Sequence, residues 1–250
     1  LIKRSNVKVV CTTDDPADSL EYHKKLKQVS DFDCKVLPSF RPDKALNIQL
    51  DGFADYIKTL GEAADVEINS YKDVIAALLK RCDYFNEVGC KVSDKSFEYV
   101  PFTVSSDDEI DAVFKKAMNG ESFSETESDG YRTAVLLALG AKYHELGWAM
   151  EIHIGAIRNN STRMFKAIGA DTGFDSVGDS EIAKKLSRFL DALDVKNELP
   201  KTILFNLNDK DNTVLATMLG NFQSSEAQSK IQFGPAWWFL DTMDGMTSQM

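Results

Sequence analysis

Apolar residues recur along this chain in two patterns, short runs rich in β-branched and aliphatic side chains and longer segments with apolar positions three and four apart. Six short runs read as strands: Asn6–Thr13, Cys34–Leu37, Cys90–Ser93, Met150–Ile157, Thr202–Leu207 and Lys230–Phe233. Helical spacing follows each. Asp15 and Pro16 suit the cap and first turn of a helix reaching about Lys27. Helices are expected over about 51–61 and 70–87, the second with Val74, Ile75, Leu78 and Leu79 on one face and Gly89 as its stop. A loop over Ser105–Glu109 leads to helices from about Glu109 to Met118 and from Ser124 to Leu146. Beyond Asn160 the glycines of 169–179 predict a long loop, with Ser180 capping a helix that presents Ile182, Leu186, Phe189, Leu190 and Leu193. Asp211–Leu219 and a segment from Asp244 complete the helical set.

Alternating strands and helices define an α/β chain with a parallel sheet and right-handed crossovers. No dinucleotide glycine fingerprint occurs, and each strand ends in polar or aromatic residues. The pattern predicts a (β/α)8 barrel of the TIM type with about six of its eight units, as one incomplete domain over 1–250 with helical insertions near 51–87 and 105–146. Such a piece has two open sheet edges and an exposed apolar interior, so it is expected to be unstable alone or associated with missing parts. Leu1 at the start and a helix barely begun at Met250 fit a longer parent.

Composition narrows the partners. A chain that is 43% hydrophobic and 27% charged fits a soluble globular protein, and a formal net charge of -10 argues against a nucleic-acid or anionic-membrane surface. No apolar run suits a membrane span or a secretory leader, which predicts a cytoplasmic location. Cys11, Cys34, Cys82 and Cys90 form no CxxC pair and read as free structural thiols.

If the strands are parallel, their C-terminal ends share one rim, where ligands bind in such folds. That rim collects Asp14 and Asp15, Arg41, Asp94, His153 with Arg158, Asn159 and Asn160, Asn206 with Asn208, and Trp237 with Trp238. Arginines hold carboxylates through charge-assisted hydrogen bonds, carboxamides address hydroxyls, and an aromatic offers a face to a sugar ring. The set suits a small polyhydroxy acid. Duller roles compete: Asp15 as a helix cap, Asp94 as either a cap or a site residue, His153 as an interior side chain between Ile152 and Ile154. Only one of two adjacent strand tryptophans can face a site, and His23 and His144 fall on helices where solvent contact is expected. No HxH or HExxH spacing, nucleophile elbow, phosphate loop or catalytic cysteine–histidine pair is present.

Colinear segments carry a more specific signal. NVKVVCTTDDPADSL, KVLPSFRPDKALNI, GCKVSD, IHIGAIRNN, GFDSVGD, LPKTILFNLN, GNFQ and QFGPAWWF with DGM resemble consecutive motifs of the uronate (glucuronate) isomerase family, in the amidohydrolase superfamily, along essentially the whole chain. The resemblance implies a (β/α)8 barrel that interconverts D-glucuronate with D-fructuronate and D-galacturonate with D-tagaturonate, an aldose–ketose isomerisation drawn through a cis-enediol and active in the longer parent. It implies His153 and Asp94 as catalytic candidates, and Arg41, Arg158, Asn159, Trp237 and Trp238 as substrate-binding ones, with a small uronate as partner, and a homo-oligomer is a further expectation. Its first-strand HxH pair and last-strand TDSR-like aspartate are missing here. The six strands would then be the second to seventh of eight, a central portion, and the divalent metal, zinc by resemblance, would take ligands outside this chain, with none encoded here. Lys95 also stands where a histidine is expected after KVSD. The alternatives are a metal-dependent hydrolase of the same superfamily and a non-catalytic barrel fragment that binds a carboxylate.

Overall fold

The computed structural model describes Leu1 to Met250. Its main strands are β1 (Val9–Cys11), β2 (Lys35–Leu37), β3 (Val92–Phe97) and β4 (Ala149–Ile154); two-residue strands β5 (Ala156–Ile157) and β6 (Ser176–Val177) precede β7 (Lys201–Asn206) and β8 (Ile231–Phe233). β1 pairs with β2, and β3, β4, β7 and β8 neighbour one another in that order, all parallel. Phe40 joins the two groups through bridges to Asp14 and Ser93. Its amide donates to Val92 O at 3.0 Å and its carbonyl accepts from Asp94 N at 3.0 Å. The six predicted strands are thus present in chain order, with β1 and β8 at the edges.

Helices α1 (Glu21–Leu26), α2 (Asp43–Leu46), α3 (Phe53–Ala64), α4 (Tyr71–Val88), α5 (Asp107–Met118) and α6 (Glu125–Glu145) precede β4, and α7 (Thr162–Ile168), α8 (Ala183–Asp194), α9 (Asn212–Leu219) and α10 (Met243–Gln249) follow it. Three long helices start where Ser-x-x-Asp/Glu occurs: Ser70 with Asp73, Ser106 with Glu109 and Ser124 with Glu127 each form a reciprocal capping box.

Other boundaries differ from expectation because side chains found competing partners. Helix α1 starts five residues after Pro16, behind Leu20 at φ 52 with no side-chain cap. Asp15 Oδ1 instead accepts from Ala17 N and Tyr56 OH, both at 2.9 Å, and Asp18 Oδ1 accepts from Leu20 N at 2.6 Å, local turns that delay the helix. Ser180 does not cap α8, since its hydroxyl donates to Glu98 at 3.0 Å. The expected loop over 169–179 folds back as β6, antiparallel to β5. Neither helical histidine is free in solvent. His23 Nε2 lies 2.7 Å from Thr12 Oγ1, and His144 Nδ1 lies 3.1 Å from Leu199 O.

Alternation along β4 sets the layers. Met150, Ile152 and Ile154 are buried in the core, leaving Glu151 and His153 on the opposite face. Against that core, Phe40 packs edge-on to Phe85 with centroids 5.0 Å apart, and Tyr143 stacks on Trp148 at 5.7 Å. Trp148 Nε1 donates to Asn86 at 3.0 Å, so the indole polar atom is paired where its ring is buried.

Lys95 shares this layer. As a neighbour of Asp94 on β3 it points the other way, away from the strand-end site. It is fully buried, its Nζ has no hydrogen-bond partner, and it sits 4.9 Å from the centroid of the Tyr143 ring. Burial pushes its ammonium from 10.5 down to about 8, against the opposing pull of Asp94 and Asp43. A lysine with a lowered folded pKa destabilises the fold fully below that value, and the penalty fades as pH rises toward the unfolded value. Lys95→Met is therefore expected to stabilise the full-length protein at neutral pH by up to about 3 kcal/mol. The advantage should shrink as urea titrations move from pH 7 to pH 10.

Candidate active site

Arg41 directly follows the Phe40 bridge, and its amide donates to Asp14 O at 2.9 Å, so the backbone fixes where the side chain starts. The guanidinium is gripped by two carboxylates: Nε donates to Asp43 Oδ2 at 2.8 Å and one terminal nitrogen, Nη1, to Asp94 Oδ2 at 2.9 Å. The other oxygen of Asp94 lies 2.7 Å from His153 Nδ1. Asp94 was expected at the end of a strand; it lies inside β3, opposite Glu151 of β4, while His153 is opposite Ser96. It thus reaches His153 diagonally across the sheet on the shared face.

Burial raises the Asp94 carboxyl, but the hydrogen bond from His153 and the charges of His153, Arg41 and Lys95 outweigh it and hold it below the usual carboxylate value of 3.8. An ionised Asp94 only accepts, so His153 Nδ1 donates this hydrogen bond, and Nε2 is left without a partner in the chain. Two neighbours fix the ring plane. Phe205, opposite His153 on β7, stacks at 4.3 Å and 9°, and Trp237 meets it edge-on at 4.5 Å. A Cβ at Gly234, just past β8, would overlap the Phe205 ring; glycine there lets the ring lie flat.

The other expected residues are arranged differently. Arg158 sits outside the cluster, 3.2 Å from Asp171 and 3.4 Å from Asp175, with its guanidinium 5.0 Å from the Trp238 ring. Asn159 adopts φ 59 and uses its backbone amide on Asp175 at 2.7 Å. Trp238 opens a short 3-10 turn and stacks on Phe239 at 4.8 Å, so Trp237 alone of the pair reaches His153. Asn206 is spent on structure, donating to Asn208 O and Asn212 and accepting from Gln249. A cavity of about 560 Å³ extends from Arg41 past Gln49, Glu98 and Arg132 to Arg158.

Four contributors escaped the sequence reading. Asp43, two residues from Arg41, is not among the expected site residues. Its carboxyl is raised by burial despite Arg41. Glu151 stands two residues before His153, on the same face by strand alternation, and its carboxyl is raised by burial and by Asp94. Phe205 looked like an ordinary strand residue. Arg132, on α6, is buried at the cavity wall with Nε unpartnered, and only the tertiary fold brings it there.

Strand ends of a parallel α/β sheet that present an arginine held between carboxylates, beside an oriented histidine, define a barrel-type protein with a candidate site on its rim. The chain belongs to the glucuronate isomerase family, whose model matches residues 1–250. It is 54% identical over 250 residues to the uronate isomerase of Clostridium perfringens and 51% identical to that of Caldanaerobacter subterraneus subsp. tengcongensis, covering all of this chain and 54% of each relative. The solved uronate isomerase of Thermotoga maritima superposes with a TM-score of 0.91 at 29% identity, over 99% of this chain and 53% of that one. The glucuronate isomerase of Caulobacter crescentus, at 24% identity and a TM-score of 0.88 over 99% of this chain and 50% of that one, shares the fold. The chain spans about half the length of the curated relatives it matches, and its parallel α/β sheet is a partial barrel of the TIM type. No helix is long and apolar enough to cross a membrane.

The Asp94 bridge makes a stability prediction. Because its folded pKa is depressed, Asp94 contributes stability above its unfolded pKa and loses it as pH falls through the folded value. Asp94→Asn should cost about 1.5–3 kcal/mol at pH 7, with the gap to the parent narrowing in acid; denaturant titrations at pH 7 and pH 3 measure both.

Proposed function

We infer that the full-length protein is a uronate isomerase of the amidohydrolase superfamily, acting in the cytoplasm on D-glucuronate to give D-fructuronate and on D-galacturonate to give D-tagaturonate. One observation carries the reading: a single carboxylate, Asp94, holds both Arg41 and His153, which sets a carboxylate seat beside a ring able to exchange a proton. A uronate has a carboxylate at one end and an aldehyde at the other. Isomerisation removes the proton from C2, returns one to C1, and moves the hydroxyl proton from O2 to O1 through a cis-enediol.

In this reading the unengaged edge of the Arg41 guanidinium receives the substrate carboxylate. His153 Nε2 accepts or returns a proton at the reacting carbons, its ring held by Asp94, Phe205 and Trp237. Asp94 therefore positions two groups rather than meeting substrate. Glu151, lifted by burial, lies on the same face as a second proton-exchanging group. Arg158, already paired with Asp171 and Asp175, serves the outer wall with Trp238.

No three His, Cys, Asp or Glu side chains come together as a metal site in these residues, and Asp94 and His153 are engaged with each other. This set does not by itself fit a divalent cation. The metal implied by the family resemblance is proposed to draw its ligands from the rest of the full-length protein, and no step above passes through it.

Arg41→Met in the full-length protein is expected to reduce kcat/KM for D-glucuronate by about 10- to 100-fold, the worth of a charged hydrogen bond. Arg158→Ala should have a smaller effect. An equal loss on an aldose lacking the carboxylate would contradict the assignment.

A further inference from the structure

Arg41 carries more negative charge than its own burial requires. One carboxylate would neutralise it, yet Asp43 and Asp94 both lie within 3 Å of it, and each raises the other's cost of ionisation. Beside a seat for an anionic ligand, a surplus carboxylate weakens long-range attraction, so charge balance alone does not account for Asp43. Geometry does. Asp43 occupies the first turn of α2 and takes the Nε edge of the guanidinium, whereas Asp94 takes one terminal nitrogen. Were Nε free, the guanidinium could turn to meet Asp94 through two parallel hydrogen bonds, the arrangement arginine and carboxylate favour. That fork would use up the edge facing the ligand and compete for the oxygen that now holds His153.

We propose that Asp43 is a positioning residue for the reaction: by taking Arg41 Nε it stops Arg41 and Asp94 from closing on each other, and so keeps one guanidinium edge open for the substrate carboxylate and one Asp94 oxygen on His153. The role rests on the reading that Arg41 seats a uronate carboxylate. It requires an oxygen acceptor at position 43, not a charge.

The test is steady-state kinetics of the full-length protein with D-glucuronate, comparing Asp43→Ala with Asp43→Asn, which keeps a carbonyl oxygen for Nε. Asp43→Ala is expected to raise KM by about tenfold or more and to lower kcat by about threefold or more as His153 loses its Asp94 oxygen, and Asp43→Asn to restore both to within about threefold of the parent. Two results overturn the proposal: Asp43→Asn as impaired as Asp43→Ala, which makes the charge the active feature, or both variants with an unchanged KM. If Asp43→Ala folds poorly, a loss of kcat in proportion to the unfolded fraction is excluded by active-site titration, and Asp43→Asn against Asp43→Leu, which has the same size but no acceptor, gives the same contrast. Arg41→Met separates this inference from the reading beneath it. An unchanged KM in Arg41→Met removes the carboxylate seat itself, whereas a raised KM there with a parental KM in Asp43→Ala removes only the role of Asp43.

Discussion

The two oxygens of Asp94 face different partners, and the arrangement of the site depends on that division. One oxygen fixes Arg41 and the other fixes His153; neither partner is held as firmly by any other side chain except Asp43 on Arg41. Burying a carboxylate is costly unless it is paired and hydrogen-bonded, and here the cost is offset by two partners that also need orientation. The sheet supplies the geometry. Asp94 and His153 lie on adjacent parallel strands one diagonal step apart, close enough for a hydrogen bond only in this register. A slip of one residue would send Asp94 into the helical layer and bring Lys95 to the ligand face.

The fold was legible because its signals are local and periodic. Six strand-like runs separated by helical spacing fixed the parallel α/β class, and Ser-x-x-Asp/Glu marked three helix starts. The misread boundaries lie where an Asp or Ser had a tertiary alternative: Asp15 turned toward Tyr56 and Ser180 toward Glu98. No local rule ranks such a partner above a helix cap.

The site was legible only as a rim. Strand ends pointed to Arg41, Asp94 and His153 without showing that Asp94 bridges the other two. Arg158 and Asn159 follow the same strand in sequence, but the hairpin of β5 and β6 carries them away toward Asp171 and Asp175. The sequence expects β5 as the end of the Met150–Ile157 strand and β6 as loop, because strands of two residues leave almost no periodic trace. Asp43 and Arg132 carry side chains common on helix surfaces, and their burial against the cavity comes from packing of the insertions onto the sheet.

Gly234 and Phe205 illustrate how such packing ties together distant stretches of sequence. The missing side chain on one strand is the volume occupied by the aromatic ring of the next, and that ring in turn backs the imidazole. The two positions therefore share a fixed allotment of space. During divergence an alanine at 234 becomes tolerable only after the ring at 205 has given way to something smaller, and a smaller residue there leaves the histidine unsupported. Inheritance at these two positions should be joint, and the historical order of any exchange should run through 205 first.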